Sequence, residues 1–111
     1  HVALDDYDAA KAEFALVHEL APQDPLGWLL SATLARRQND LATAKADISE
    51  AAKLAPRDSA IALEAGNIAY SAGDAAGAKI NWEQAVRINP DGVPAKAAEK
   101  YLAQLVTSVK E

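Results

Sequence analysis

The stretch KLAPRDS, residues 53–59, joins the end of one apolar run to the start of the next. Its proline lacks an N–H and clashes with the preceding turn, so it cannot continue a helix. The aspartate two residues later can accept the orphan N–H groups that open one. KLAPRDS is therefore a stop signal and a start signal back to back. Near-copies stand on both sides, ELAPQDP at 19–25 and RINPDGV at 87–93. Pro22, Pro56 and Pro90 are separated by equal intervals of 34 residues. A fixed period of that length marks a chain of stacked helical or mixed supersecondary units.

The period extends outward from the prolines. Asp6, Asp40 and Asp74 obey it, as do Ala10, Ala44 and Ala78, then Phe14, Ile48 and Trp82. Val17, Ala51 and Ala85 follow, and Leu20, Leu54 and Ile88 close each set. Within a unit the apolar steps are four, three and three, the periodicity of a helix face. Asp6, Asp40 and Asp74 precede these runs and are expected to cap them. Asn39 and Gly73 suit the left-handed residue that ends the helix before. Asp24 and Asp58 are expected to cap the helices that follow the prolines. The predicted helices are 6–21, 25–38, 41–54, 59–72, 75–88 and 94–109. Connections this short force neighbours to run antiparallel. One hairpin buries too little apolar surface to offset its ordering entropy, so the units are expected to stack into a solenoid.

Composition narrows the function classes. At 111 residues the chain is one domain's worth. Half of it is hydrophobic, with alanine supplying about half of that share and aromatics only 5% of the chain, so the core must form by close backbone approach. A net charge of −5 opposes nucleic-acid binding, which needs a basic stripe. The absence of cysteine excludes disulfides and thiolate metal sites and leaves the compartment open. No apolar run approaches the roughly 18 residues of a membrane span. The chain holds no methionine, so it is expected to be a processed product or a piece of a longer protein.

The sequence resembles the tetratricopeptide repeat (TPR) family, whose pattern runs W-x2-L-G-x2-Y, then A-x3-F, then P across 34 residues. Residues 25–58 match with Trp28, Ala32, Ala44, Ile48 in the aromatic slot, and Pro56. Residues 59–92 match with Gly66, Ala78, Trp82 and Pro90, and residues 1–24 resemble the rear of an earlier repeat through Ala10, Phe14 and Pro22. The chain departs from the pattern at Ser31 and Ala65 for leucine, at Ala35 and Ala69 for tyrosine, and at Ala62 for tryptophan. The resemblance implies an all-α solenoid of about six antiparallel helices with a right-handed superhelix. It implies one TPR domain over 1–111, divided into a truncated repeat (1–24), full repeats (25–58 and 59–92) and a capping helix (93–111). That last segment sets Ala98, Tyr101, Leu102, Leu105 and Val109 against Lys96, Glu99 and Lys100, the amphipathic pattern a solenoid terminus requires. The alanine-rich style, with its AGD and ND turns, resembles bacterial members.

Residues able to carry chemistry are few. Asp5, Asp6 and Asp8 cluster near the start, where negative charge suits a helix N-terminus, and they lack the spacing of a calcium loop. His1 is terminal and His18 solitary, so no metal site can be assembled and none is expected. No serine–histidine–acid set or phosphate loop exists, and no cofactor or catalysis is expected. What remains is surface.

The family resemblance implies a concave groove, lined by the front helices, that holds a peptide or protein partner. By register, the groove positions are Leu29, Thr33, Arg36 and Arg37, then Leu63, Asn67, Tyr70 and Ser71, then Tyr101 and Gln104. Asn67 stands where groove asparagines of the family bond a ligand's backbone. The family's clamp for a C-terminal carboxylate needs lysines and an arginine where this chain has Leu29, Ala60 and Glu64. Each position also has a structural explanation. Arg36 and Arg37 complement the dipole at a helix C-terminus, both tyrosines serve equally as packing or presentation, both leucines fall more often in a core than in a groove, and Trp82 is expected in the core. An adaptor role is thus the first expectation. The alternative is a structural segment that self-associates, as a homodimer, through Phe14 and Val17 on an uncovered N-terminal helix.

Overall fold

The computed structural model describes the backbone of residues 4–110 and the side chains of residues 6–106. His1 and the side chains of Asp5 and Val109 lie outside the described residues. Among the described residues six α-helices follow one another: α1 (Leu4–Leu20), α2 (Pro25–Arg37), α3 (Leu41–Leu54), α4 (Ser59–Ser71), α5 (Ala75–Ile88) and α6 (Val93–Lys110). Each boundary lies within two residues of its predicted place.

Local chemistry sets the ends. Asp24 and Asp58 each accept the N–H two residues on, from Leu26 at 3.0 Å and from Ala60 at 2.9 Å. Asp40 and Asp74 cap from one residue further away, taking the N–H of Thr43 at 3.4 Å and of Gly77 at 2.9 Å. Asn39 and Gly73 hold φ of 62° and 82°, the left-handed turn expected of them. Asp6 departs from its series. Helix α1 already begins at Leu4, so Asp6 lies in its first turn, exposed, rather than at its cap. A carboxylate in a first turn still complements the helix dipole, so a cap and a first-turn acid look alike in sequence.

The chain divides into two compact units, His1–Ala55 and Pro56–Glu111. In the first, α1 packs on α2 and α2 on α3. Ala32 and Ala44 are fully buried, as the small pair at a close helix crossing should be. A buried hydrogen bond of 2.5 Å from the Ser31 hydroxyl to Asp47 Oδ2 ties α2 to α3.

In the second unit α4 packs on α5, and α6 packs on both. Its core is Ala62, Ala78, Trp82, Ala85 and Ala98, with Leu63, Val86, Tyr101, Leu102 and Leu105 packed around them. Trp82 is 4% exposed, the core position its register predicted. Gly66 makes room for it: a Cβ there would collide with Cδ1 and Nε1 of the indole.

Candidate interaction surface

Within the first unit, the predicted groove positions lie along α2. Leu29, Thr33 and Arg36 are half-buried, whereas Arg37 is exposed in the last turn. The Thr33 hydroxyl donates to the carbonyl of Leu29, four residues back, at 3.0 Å. Such back-bonding occupies the donor locally and leaves the oxygen able to accept.

Within the second unit, Leu63 packs on the core while Ser71 and Gln104 are exposed. Tyr70 is 54% exposed, a large aromatic surface for a chain so poor in rings. Tyr70 and Tyr101 both lie against Trp82, with ring centroids at 5.8 Å and 5.4 Å and interplanar angles of 37° and 43°. Tilted pairs at these distances are favourable. The two tyrosines are thus braced on one rigid, buried indole.

Asn67 has an additional role. Its Oδ1 accepts from Trp82 Nε1 at 3.1 Å, and its Nδ2 donates to Glu64 Oε1 at 3.4 Å. Indole N–H is a donor only, so it fixes which end of the amide faces it. The resemblance implies a ligand contact at Asn67, and in the structure its side chain also orients the tryptophan that braces the tyrosines. The signal was the pairing of Asn67 with a tryptophan fifteen residues on, across the α4–α5 turn.

At the N-terminal end, Phe14 is half-buried and Val17 is 40% exposed. The aromatic contact to α2 runs through His18, whose ring stacks on Trp28 at 3.5 Å and 6°, with Phe14 beyond it at 6.3 Å. Both ring nitrogens of His18 are buried without a hydrogen-bond partner, so this histidine packs. The deepest of the described side chains of α1 is another residue. It is Tyr7, 5% exposed.

Tyr7 and its partners were missed in sequence. Its phenol donates to Asp40 Oδ2 at 2.7 Å, and Lys11 Nζ donates to the same oxygen at 2.9 Å. The ammonium also stands 5.7 Å from the Tyr7 ring centroid, within cation–π range. Burial, then the Asp40 carboxylate, pushes the phenol well above its usual range. The Tyr7 phenol, then Lys11, holds the Asp40 carboxyl well below its own. Asp40 thus caps α3 and latches α1 with one carboxylate. The available signal was the spacing Tyr7, Ala10, Phe14, Val17, an inward stripe with a polar tip at one end.

Among the described residues no group of acidic or histidine side chains could hold a metal ion, and no helix is long and apolar enough to cross a membrane. No family model and no curated protein matches the sequence. Among solved structures, the chain is similar to the first TPR domain of Spaghetti (RPAP3), determined bound to the HSP90 peptide SRMEEVD. The likeness covers 95% of this chain and 81% of that one, with a TM-score of 0.82 at 18% identity. The fold is accordingly that of TPR helical hairpins.

Proposed function

We propose that the chain is a non-catalytic protein-interaction module in which the front helices of the second unit, α4 and α6, hold a peptide or protein segment. The observation that carries this reading is the pair Tyr70 and Tyr101 braced on Trp82, with Tyr70 more than half exposed at 54%. Rigid aromatic side chains with a polar tip give large contact area for little lost entropy, and they dominate binding energy at interfaces. In the first unit, considered by itself, Arg37 is exposed in the last turn of α2 and offers a fork for a carboxylate. The similar RPAP3 domain was solved with a peptide bound, which supports a peptide as the ligand class.

That peptide itself does not carry over. The resemblance places the carboxylate clamp's basic residues at Leu29, Ala60 and Glu64, which are apolar or acidic here. The heptapeptide SRMEEVD is expected to bind more weakly than about 1 mM. A ligand selected from a random peptide library against the chain tests the reading. Tyr70→Ala and Tyr101→Ala should each weaken it about five- to hundredfold, equivalent to about 1–3 kcal/mol, with helicity unchanged. A selected ligand indifferent to both substitutions removes the front helices as its site.

A further inference from the structure

Helix α1 carries two apolar sides where α3, one period later, carries one. Leu20 is 79% exposed while Leu54 is half-buried, and Val17 is 40% exposed while Ala51 is fully buried. Phe14 is half-buried where Ile48 keeps 8%. A helix advances about 100° per residue. On that wheel Ala9, Ala12, Leu16 and Leu20 form a stripe roughly opposite Tyr7, and Leu16 is 56% exposed. Acids border the stripe on both sides, Asp8 and Glu19 along one edge, Asp6 and Glu13 along the other, and all four are exposed. Lys11 is turned away, toward Asp40.

We propose that this outward stripe of α1 docks a basic amphipathic helix of another protein. The occupant must bury leucines, so it presents an apolar stripe of its own. Parallel or antiparallel to α1, its flanks then meet carboxylates on both edges, which lysine or arginine flanks complement and acidic flanks oppose. The same acids argue against a second copy of this chain as the occupant. Two α1 helices laid face to face set acidic edge against acidic edge whichever way they run, and like charges in juxtaposition suppress pairing. The acidic edges also oppose an anionic lipid surface. This surface is separate from the front helices proposed above, and the two stand or fall independently.

The test uses two synthetic helices of three heptads with leucine at the first and fourth positions, one flanked by lysine and the other by glutamate. They are titrated into the full chain by calorimetry. The lysine-flanked helix should bind at least about tenfold tighter at low salt, with the advantage shrinking as salt screens the flanks. Leu16→Ser with Leu20→Ser should weaken it at least about tenfold while the melting curve stays in place, since both side chains are exposed. Ile80→Ser, at an exposed apolar position on α5 (63% exposed), should leave binding unchanged. Equal binding of both helices, or equal loss with Ile80→Ser, overturns the proposal. So does a dimer in sedimentation that Leu16→Ser abolishes, because that result gives the stripe to a second copy.

Discussion

The hairpins α2–α3 and α4–α5 share a period and a fold yet are fastened differently. In the first, Ser31 on α2 bonds Asp47 on α3. One period on, those positions are Ala65 and Asn81, and Asn81 bonds the Gly77 carbonyl of its own helix. In the second hairpin, Asn67 on α4 bonds Trp82 on α5. Its counterparts in the first are Thr33 and Ile48, and Thr33 bonds its own helix while Ile48 has no polar atom. The polar tie has moved from one pair of positions to another. The small residue moves with it: Ala32 stands with Ile48, but Gly66 stands with Trp82, whose indole lies where a Cβ would be. Pairs of positions, rather than single positions, carry the repeat.

The largest effect expected from that coupling is at Gly66. Gly66→Ala should destabilise the second unit by about 2–3 kcal/mol, since overpacking outweighs the roughly 1 kcal/mol that alanine's helix propensity returns. Adding Trp82→Ile recreates the first hairpin's combination and should remove most of the collision, although it costs packing of its own. A double-mutant cycle by chemical denaturation reads the coupling, and strict additivity breaks the comparison. Ser31→Ala comes next. It leaves the buried Asp47 without its hydroxyl donor, at about 2 kcal/mol, whereas Ala65→Ser in the other hairpin should gain nothing comparable. Asn67→Ala should cost about 1–2 kcal/mol through the stranded Trp82 N–H. It should also blue-shift or quench tryptophan emission, a change that separates it from a variant losing ligand contact alone.

The smallest effects belong to the latch between α1 and α3. Tyr7→Phe should cost about 1 kcal/mol and Lys11→Ala less, as Lys11 is 47% exposed. The latch also has a pH signature. The Asp40 carboxyl is held low, so its contribution is intact above the ordinary carboxylate range and is lost as pH falls through the lowered value. The Tyr7 phenol is held high, so its contribution is intact below the ordinary phenol range and is lost as pH rises above it. Melting temperatures of the parent and Tyr7→Phe should differ most near neutrality and converge toward acid. A difference independent of pH would leave Tyr7 as packing only.

How much was legible in sequence follows from the same contrast. Helices, turns and caps announce themselves locally, because a proline, a capping aspartate or a left-handed glycine acts within four residues of itself. Asp24, Asp40, Asp58, Asp74, Asn39 and Gly73 were all readable for that reason. Asp6 was not, because a first-turn acid and a cap have the same local chemistry. Tyr7–Asp40 and Asn67–Trp82 were hidden for another reason: each joins side chains on different helices, 33 and 15 residues apart, and a periodic sequence shows that positions correspond without showing which polar groups meet. Tyr70 and Tyr101 were placed by register on the front helices, but their common support on Trp82 emerged only from the packing of α6 on α4 and α5.

That support underlies the functional reading, and amide chemical-shift mapping of the labelled chain with a library-selected peptide tests it most directly. The account predicts the largest shifts at Leu63, Tyr70 and Tyr101 on α4 and α6. Shifts confined to α3 and α5, around exposed residues such as Lys45 and Lys79, would contradict it.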